Sequence, residues 1–365
     1  MNKKYIYYFV GTILIIAIIV VINYIFPFQK KEINIGAILP LTGKLSQYAE
    51  EAKQGMELAL ENAKVPIKII YEDSQSETKQ GVNALQKLLT NKISILITGG
   101  SNISLAISPL SNENKILQMA VFSSVTKYTS PNDYTFRVTT RSEIENQTLI
   151  DWTVNHSIKS TAIIYSNDEW GLGHYDYIRQ QLEISNISIT NRESFLNSDA
   201  DTRTQLLKIK KHNPEAVFLI AQGKNAGLIL KQAKELNLTP QFLGVRAIET
   251  NELIPIAGDS AEGVIYPYSF DPTSKEGNIK DFVAKYKNKY SKLPTTYSAE
   301  GYDAMNLLIK AINTCQGDNA DCLKQNISNT KNYQGILGNI SFDNNGDVYI
   351  KCFLKTVKEG QFVKY

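Results

Sequence analysis

From residue 32 onward, short apolar runs alternate with segments whose apolar residues recur at helical spacing. The runs 33–39, 67–71, 93–98 and 117–121 are each predicted to form a buried strand. Between the first two runs, apolar residues recur every three or four positions and predict a helix, at Ala52, Met56, Ala59, Leu60 and Ala63. Strands that alternate with helices form parallel sheets covered on both faces, so the pattern predicts an α/β fold.

The alternation then repeats in the second part of the chain. Predicted strands at 161–165, 216–220 and 241–244 are separated by helical segments around 178–182, 206–209 and 228–236. Further helices are predicted around 282–290 and 299–312, and the run 348–354 resembles a strand. Two runs of such units predict two similar lobes, each with its own sheet.

The loops that follow the predicted strands are the first place to seek a binding site. In open parallel sheets, ligands bind beyond the carboxyl ends of the strands. The loop Gly99-Gly100-Ser101-Asn102 opens a helix, and exposed N–H groups at such a start suit a carboxylate. Alternatively, glycine and serine there simply make the turn and cap the helix.

The first 31 residues differ in character from the rest. An uncharged, isoleucine-rich stretch from residue 5 to 29 follows Lys3 and Lys4. A helix needs about 20 apolar residues to cross a bilayer, and no small-residue cleavage site follows this stretch. We therefore predict an uncleaved, single-pass membrane anchor and short tether over residues 1–31. Its amino terminus would be cytoplasmic and the remaining chain extracytoplasmic. A cleaved signal peptide is the alternative, and Lys30 and Lys31 weaken the predicted orientation.

Composition narrows the classes of partner. The formal net charge is +3 and no long Lys/Arg run occurs, so nothing indicates a nucleic acid. Cys315 and Cys322, separated by a polar, turn-forming stretch, could form a disulfide in an oxidising compartment or remain two free thiols. Cys352 is predicted to be a packed thiol.

Motifs for catalysis are missing from the sequence. The run Gly171-Leu172-Gly173 does not complete a G-x-G-x-x-G fingerprint, and there is no P-loop and no G-x-S-x-G. The three histidines are scattered, with no pair at metal-ligand spacing. We therefore expect no metal, no cofactor and no enzymatic activity.

Seven stretches, in order along residues 33–365, resemble the leucine/isoleucine/valine-binding protein family of type I periplasmic solute-binding proteins. They are Ile35-Gly36-Ala37-Ile38-Leu39-Pro40-Leu41-Thr42-Gly43, Gln54-Gly55-Met56-Glu57-Leu58-Ala59, Tyr134-Thr135-Phe136-Arg137, Trp170-Gly171-Leu172-Gly173, Gly258-Asp259-Ser260-Ala261-Glu262-Gly263-Val264, Gly301-Tyr302-Asp303-Ala304 and Ile340-Ser341-Phe342-Asp343-Asn344-Asn345-Gly346-Asp347. From their residues alone, Asp303 is expected near a helix start, and 343–347 is expected to be a tight turn rather than a calcium loop.

The resemblance implies two Rossmann-like lobes joined by three crossing strands, with a small solute bound between them. Residues 32–138 plus 272–342 would form the first lobe, and 139–271 plus 343–365 the second. The protein would deliver an amino-acid-like or carboxylate-containing solute to an ABC importer whose permease and ATPase are separate chains. A ligand-sensing ectodomain of the same fold is the alternative, and it would need a signalling partner.

The resemblance also carries over seven ligand-binding positions. These are Tyr48, Ser101, Phe122 and Ser124 in the first lobe, and Trp170, Gln222 and Arg246 in the second. Arg246 stands where amino-acid binders of the family have a glutamate for the ligand's ammonium. Either Glu249 substitutes for it, or the ligand lacks an ammonium or carries a second group that a guanidinium grips, or Arg246 points to solvent.

Overall fold

The structure, a computed structural model, describes residues 32–365, which form two large sheets with helices on their faces and one small two-stranded sheet. The predicted anchor at residues 1–31 lies outside the described residues. No helix among residues 32–365 is both long and apolar enough to span a bilayer.

The first sheet has five parallel strands in the order β2-β1-β3-β4-β5. The strands are β1 (Ile33–Leu39), β2 (Ile67–Asp73), β3 (Ile95–Gly99), β4 (Leu117–Val121) and β5 (Thr135–Arg137). The helices that connect them are α1 (Ser46–Leu60), α2 (Thr78–Leu89) and α3 (Ser101–Glu113). We call this unit the first lobe.

The second sheet has seven strands in the order β14-β13-β10-β9-β8-β6-β7 and forms the second lobe. Its parallel part comprises β6 (Ser160–Ser166), β7 (Ser188–Phe195), β8 (Ala216–Ile220), β9 (Gln241–Gly244) and β10 (Ile265–Tyr268). Its helices are α4 (Ser142–Asn155), α5 (Glu169–Ile184), α6 (Arg203–Lys211), α7 (Gly223–Glu235) and the short α8 (Leu253–Ala257). An antiparallel hairpin, β13 (Phe353–Lys358) and β14 (Gln361–Lys364), adds to one edge, so this sheet is mixed rather than parallel throughout.

After β10 the chain returns to the first lobe. There it forms α9 (Gly277–Tyr290), α10 (Thr296–Cys315), α11 (Ala320–Ser328) and a small hairpin of β11 (Tyr333–Gly335) and β12 (Gly338–Ile340). The chain passes between the lobes at 138–141, 269–276 and 341–352. These crossings are irregular segments rather than regular strands, apart from an isolated bridge between Phe342 and Val348. The residue bounds expected for the two lobes stay a prediction.

Burial explains which strands the sequence reveals. Every residue of β3, β4 and β8 is buried, so these central strands read as mostly apolar runs. Strand β7 lies at a sheet edge, carries mostly polar residues and was not predicted. The expectation of a strand over 348–354 is wrong at its start, because β13 begins only at Phe353 and leaves Cys352 in the third crossing.

A buried ion pair joins two of the family-like stretches. Arg137 Nε lies 2.5 Å from Asp347 Oδ1, and Arg137 Nη1 donates to the carbonyls of Ser123 and Val125 at 3.1 and 2.7 Å. Residues 343–347 form the predicted tight turn, in which Asp343 Oδ1 accepts the backbone N–H of Asp347 at 2.9 Å. A charged contact therefore holds the end of β5, where the first crossing begins, to the third crossing.

Asp303 lies in the interior of α10, not near its start as expected. Its two carboxylate oxygens accept the backbone N–H groups of Ile336 and Leu337, each at 2.9 Å. This carboxylate therefore fixes the turn between β11 and β12 against the long helix.

Helices α1 and α10 cross so closely that two glycines are required. A Cβ on Gly301 would lie 2.1 Å from the carbonyl oxygen of Ala52, and one on Gly55 would lie 1.9 Å from that of Ser298. Both neighbouring atoms are backbone and cannot rotate away. Both glycines belong to family-like stretches, and the close crossing is their physical role.

We expect Gly301→Ala to lower the free energy of unfolding by about 1–3 kcal/mol, because the added methyl group forces α1 and α10 apart. The measurement is the melting temperature, which should fall by several degrees. Gly277→Ala is the matched control, since nothing lies within 4 Å of a Cβ there. Equal melting temperatures for the two variants would contradict the close-crossing argument.

Cys315 and Cys322 form a disulfide between the end of α10 and the start of α11. We expect Cys315→Ser/Cys322→Ser to lower the stability by roughly 2–3 kcal/mol, the entropy of closing a loop of this size. A reductant should lower the wild-type melting temperature to that of the double variant and leave the variant unchanged. An equal response of both proteins to the reductant would show that the bond does not stabilise the fold.

Candidate functional site

A cleft lies between the two lobes, at the carboxyl ends of the parallel strands. It holds about 640 Å³ of empty space, counting the part open to solvent. All seven positions expected from the resemblance line it: Tyr48, Ser101, Phe122, Ser124, Trp170, Gln222 and Arg246. The structure thus brings these residues together, while their role in binding stays a prediction.

On the first lobe, the start of α3 points uncapped N–H groups at the cleft. Gly100 precedes the helix with φ +90°, and no side chain caps it. The Oγ of Ser101 accepts the backbone N–H of Ser124 at 3.1 Å, which leaves its own hydrogen free to donate. A helix start of this kind favours an anion through its N–H groups and its dipole.

Three aromatic rings form the apolar wall of the first lobe. Tyr48 and Tyr297 have ring centroids 4.8 Å apart, and Phe122 meets Tyr297 edge-on at 6.2 Å. Phe122 adopts φ +37°, which is unusual for a non-glycine residue, and its N–H donates to Glu300 at 2.9 Å. The strained backbone is thus tied to a buried carboxylate at the base of the cleft.

The second lobe contributes Trp170, Gln222 and Arg246. Trp170 is the second residue of α5, and its ring meets that of His174 edge-on at 5.0 Å. Gln222 precedes α7, which no side chain caps. Arg246 begins a short 3-10 turn directly after β9 and Val245. Each residue therefore follows a strand of the second sheet.

Arg246 is buried between two carboxylates and does not point to solvent. It is 5% exposed, its Nη1 pairs with Glu300, and its Nε lies 2.9 Å from Glu145 Oε1. Its guanidinium also lies over the ring of Tyr297, 5.1 Å from the centroid. Glu300 belongs to α10 of the first lobe and Glu145 to α4 of the second, so the cluster bridges the cleft.

Burial is the largest cause of the pKa shifts of Glu145, Glu300 and His174. Desolvation raises the pKa of Glu145 to about 7, opposed by the nearby charge of Arg246. Desolvation likewise raises the pKa of Glu300, against the charge and hydrogen bond of Arg246. The pKa of His174 is lowered to about 3 by burial, so its ring is neutral at ordinary pH.

Glu249, considered as a substitute for the family's glutamate, is engaged elsewhere. It pairs with Lys355 at 2.6 Å and accepts the hydroxyl of Tyr266. It is not among the residues that line the cleft. The suggestion that Glu249 meets the ligand is therefore wrong for this arrangement.

Further contacts join the lobes around the cleft. The hydroxyl of Tyr48 donates to the carbonyl of Ala247 at 2.8 Å, and the Asn251 N–H donates to the Gln47 side chain at 3.1 Å. Lys44 lies 3.7 Å from Asp168. Together with Arg246 and Glu300, these contacts hold the lobes together over the site.

Sequence reasoning missed Glu145, Tyr297 and Glu300. Tyr297 and Glu300 lie three residues apart on α10 and so share one helix face. The position of Glu300 between the small residues Ala299 and Gly301, directly before a stretch that resembles the family, was a signal that could have drawn attention to it. Glu145 gave no such signal, because the residues around it in α4 are mostly polar.

Comparison with known proteins agrees with this architecture. A family model described as periplasmic binding protein matches residues 32–360. The chain belongs to the periplasmic binding protein family. The predicted resemblance to its leucine/isoleucine/valine-binding members is confirmed, since the chain is similar to Leu/Ile/Val-binding protein homolog 2 of Brucella abortus (strain 2308). The two are 25% identical over 329 residues, 87% of each chain.

Two solved structures show the same fold. A leucine binding protein from Thermotoga maritima superposes with a TM-score of 0.87 at 25% identity, over 91% of this chain and 97% of that one. A solute binding protein of an ABC transporter from Rhodopseudomonas palustris, in complex with 3,4-dihydroxybenzoic acid, has a TM-score of 0.82 at 21% identity. The alignment covers 91% of this chain and 95% of that one. Proteins of this fold therefore bind solutes with and without an ammonium group.

We expect Arg246→Met to destabilise the fold by about 3–5 kcal/mol at pH 8, because it leaves two buried carboxylates without their cation. The loss should shrink towards pH 5. Without Arg246 the folded-state pKa values of both carboxyls rise further above their unfolded values, so stability is kept at low pH and lost as pH rises. The measurement is the denaturant midpoint of wild type and Arg246→Met at pH 5 and pH 8.

Arg203→Met is the matched control for that experiment. Arg203 pairs with Glu235 on the surface, with both side chains 43% exposed. Such pairs contribute at most about 1 kcal/mol. A loss that is the same for both variants, or independent of pH for Arg246→Met, would contradict a buried ion cluster.

Proposed function

We propose that this protein is the extracytoplasmic solute-binding component of an ABC importer and binds an amino-acid-like or carboxylate-containing solute between its lobes. The observation that carries the proposal is the cleft itself. Both lobes supply its walls, all seven expected residues line it, and charged and hydrogen-bonded contacts join the lobes across it. Such a site suits capture by hinged closure.

The start of α3 is the proposed subsite for the solute's carboxylate. The N–H groups of the first helical turn and the free hydrogen of Ser101 offer several donors in one place. Hydrogen bonds to an ionised acceptor are shorter and stronger than neutral ones. The relative from Thermotoga maritima is named for leucine, which carries such a carboxylate.

The apolar part of the solute would lie against Tyr48 and Trp170. Both line the cleft, one from each lobe. Burial of apolar surface contributes roughly 25 cal/mol per Å², so two aromatic walls can supply much of the affinity. Binding to both lobes at once also favours the closed arrangement.

The proposal includes two features that follow from the importer role. Residues 1–31 would anchor the protein in the cell membrane and hold the cleft outside the cytoplasm, near the permease. The permease and the ATPase would be separate chains. The protein itself would bind its solute without converting it, as expected for a family of binding proteins.

We expect Ser101→Ala and Trp170→Ala each to weaken solute binding at least about tenfold, through a lost carboxylate hydrogen bond and a lost apolar wall. The measurement is isothermal titration of the purified full-length protein against a panel of amino acids, small carboxylates, amides and sugars. Ser188→Ala, on the exposed start of β7, is the control and should bind as the wild type does. Unchanged affinity in both cleft variants would overturn the proposed site.

The importer role has its own test in the native host. Deletion of the gene should abolish uptake of the solute that the titration identifies. Normal uptake together with a lost transcriptional or motile response to that solute would instead identify a ligand-sensing ectodomain.

A further inference from the structure

The cluster around Arg246 contains one carboxylate more than its guanidinium can neutralise. Glu300 is well satisfied, since it accepts hydrogen bonds from the Phe122 N–H at 2.9 Å and the Thr139 hydroxyl at 3.1 Å, besides its pair with Arg246. Glu145 has fewer partners. Its Oε1 pairs with Arg246 Nε at 2.9 Å, and no other described residue donates a hydrogen bond to that oxygen.

The surplus carboxylate faces the cleft. Glu145 lines the cleft and is 2% exposed, so water cannot solvate it freely. A buried net negative charge is costly, and a cation that enters the cleft would relieve that cost. The start of α3 lines the same cleft from the first lobe and presents groups of the reverse polarity.

We propose that Glu145 binds the ammonium group of the solute while the start of α3 binds its carboxylate, so that the cleft selects amino acids over acids that lack an ammonium. This assignment rests on the proposed function and names its solute class. It makes Glu145, and not Arg246 or Glu249, the residue that determines specificity for the head group.

The charges around the cleft oppose the alternative of a dicarboxylate gripped by Arg246. Two nitrogen atoms of this guanidinium, Nε and Nη1, already pair with carboxylates. The remaining lysine at the cleft, Lys44, has Asp168 as its counter-charge. Two cations therefore face three carboxylates, and the surplus negative charge repels a second ligand carboxylate.

The assignment has a consequence for pH. Burial raises the pKa of Glu145 to about 7, and only its ionised form pairs with an ammonium. Amino-acid affinity should therefore rise as pH rises towards 8, on the order of tenfold from pH 5.5, with a proton released on binding at lower pH.

The charged and titratable groups around Glu145 are Arg246, Glu300, Glu143, Tyr297, Cys352 and His174. The last three do not titrate in this window, because burial raises the pKa of Tyr297 and Cys352 and lowers that of His174 to about 3.

The experiment uses matched pairs of an amino acid and its 2-hydroxy analogue, which differ only in ammonium against hydroxyl. Suitable pairs are leucine with 2-hydroxy-4-methylpentanoate, valine with 2-hydroxyisovalerate, and phenylalanine with phenyllactate. Full-length wild type, Glu145→Gln and the control Glu143→Gln are titrated calorimetrically at pH 5.5, 7 and 8. Glu143 lies on the same helix but does not line the cleft.

The expected result is that wild type and Glu143→Gln bind at least one amino acid at least thirtyfold more tightly than its hydroxy analogue at pH 8. Glu145→Gln should lose this preference through weaker amino-acid binding, with hydroxy-acid affinity unchanged, and should lose the pH dependence. A merely structural role for Glu145 would weaken both members of a pair equally.

Three results would overturn the assignment. One is a wild type that binds hydroxy or aromatic acids as tightly as amino acids, which would leave the proposed function standing. Another is unchanged amino-acid affinity in Glu145→Gln. The third is no binding of any acid in either class, which would overturn the proposed solute class as well. The wild-type preference and its pH dependence need no variant, so poor folding of Glu145→Gln cannot shield the assignment.

Discussion

The arrangement of the cleft depends on one buried guanidinium. Arg246 follows β9 in the second lobe and meets Glu145 from α4 of the same lobe and Glu300 from α10 of the first. Charges removed from water must find partners, so the three side chains fix one another. Glu300 in turn accepts the N–H of Phe122, and this extends the constraint into the loop after β4. The lobes are thus joined electrostatically at the place where a solute would lie.

The sequence predicted the central strands well because their burial is visible in it. Strands β1, β4, β8 and β9 have the bounds expected from their apolar runs. Edge strand β7 escaped prediction, since a half-buried edge tolerates polar residues on its outer face. The packing of α10 onto the first lobe could not come from periodicity, because it rests on contacts such as that of Gly301 with Ala52, about 250 residues apart.

The binding site was also predictable in part. Residues in loops directly after strands, such as Ser101 and Arg246, could be placed at a common edge from topology and the family-like stretches. The sequence could not show whether Arg246 is paired with a carboxylate, because its partners lie on helices about 100 and 54 residues away in the chain. A helix pattern shows which face is buried but not which side chain of another element meets it. The neutralisation of Arg246, which changes the expected ligand, therefore required the structure.

The ion cluster also explains how a solute could favour closure. A ligand shifts a conformational equilibrium only by its difference in affinity between the two states. Closing the lobes buries two carboxylates against one guanidinium, so the empty closed state retains one negative charge that the guanidinium does not neutralise. A solute that carried an ammonium to Glu145 would remove that cost only when the lobes are closed, since only then does Arg246 meet Glu300 across the cleft. The surplus carboxylate would thus act in two ways, because the charge that selects the solute would also couple its binding to closure.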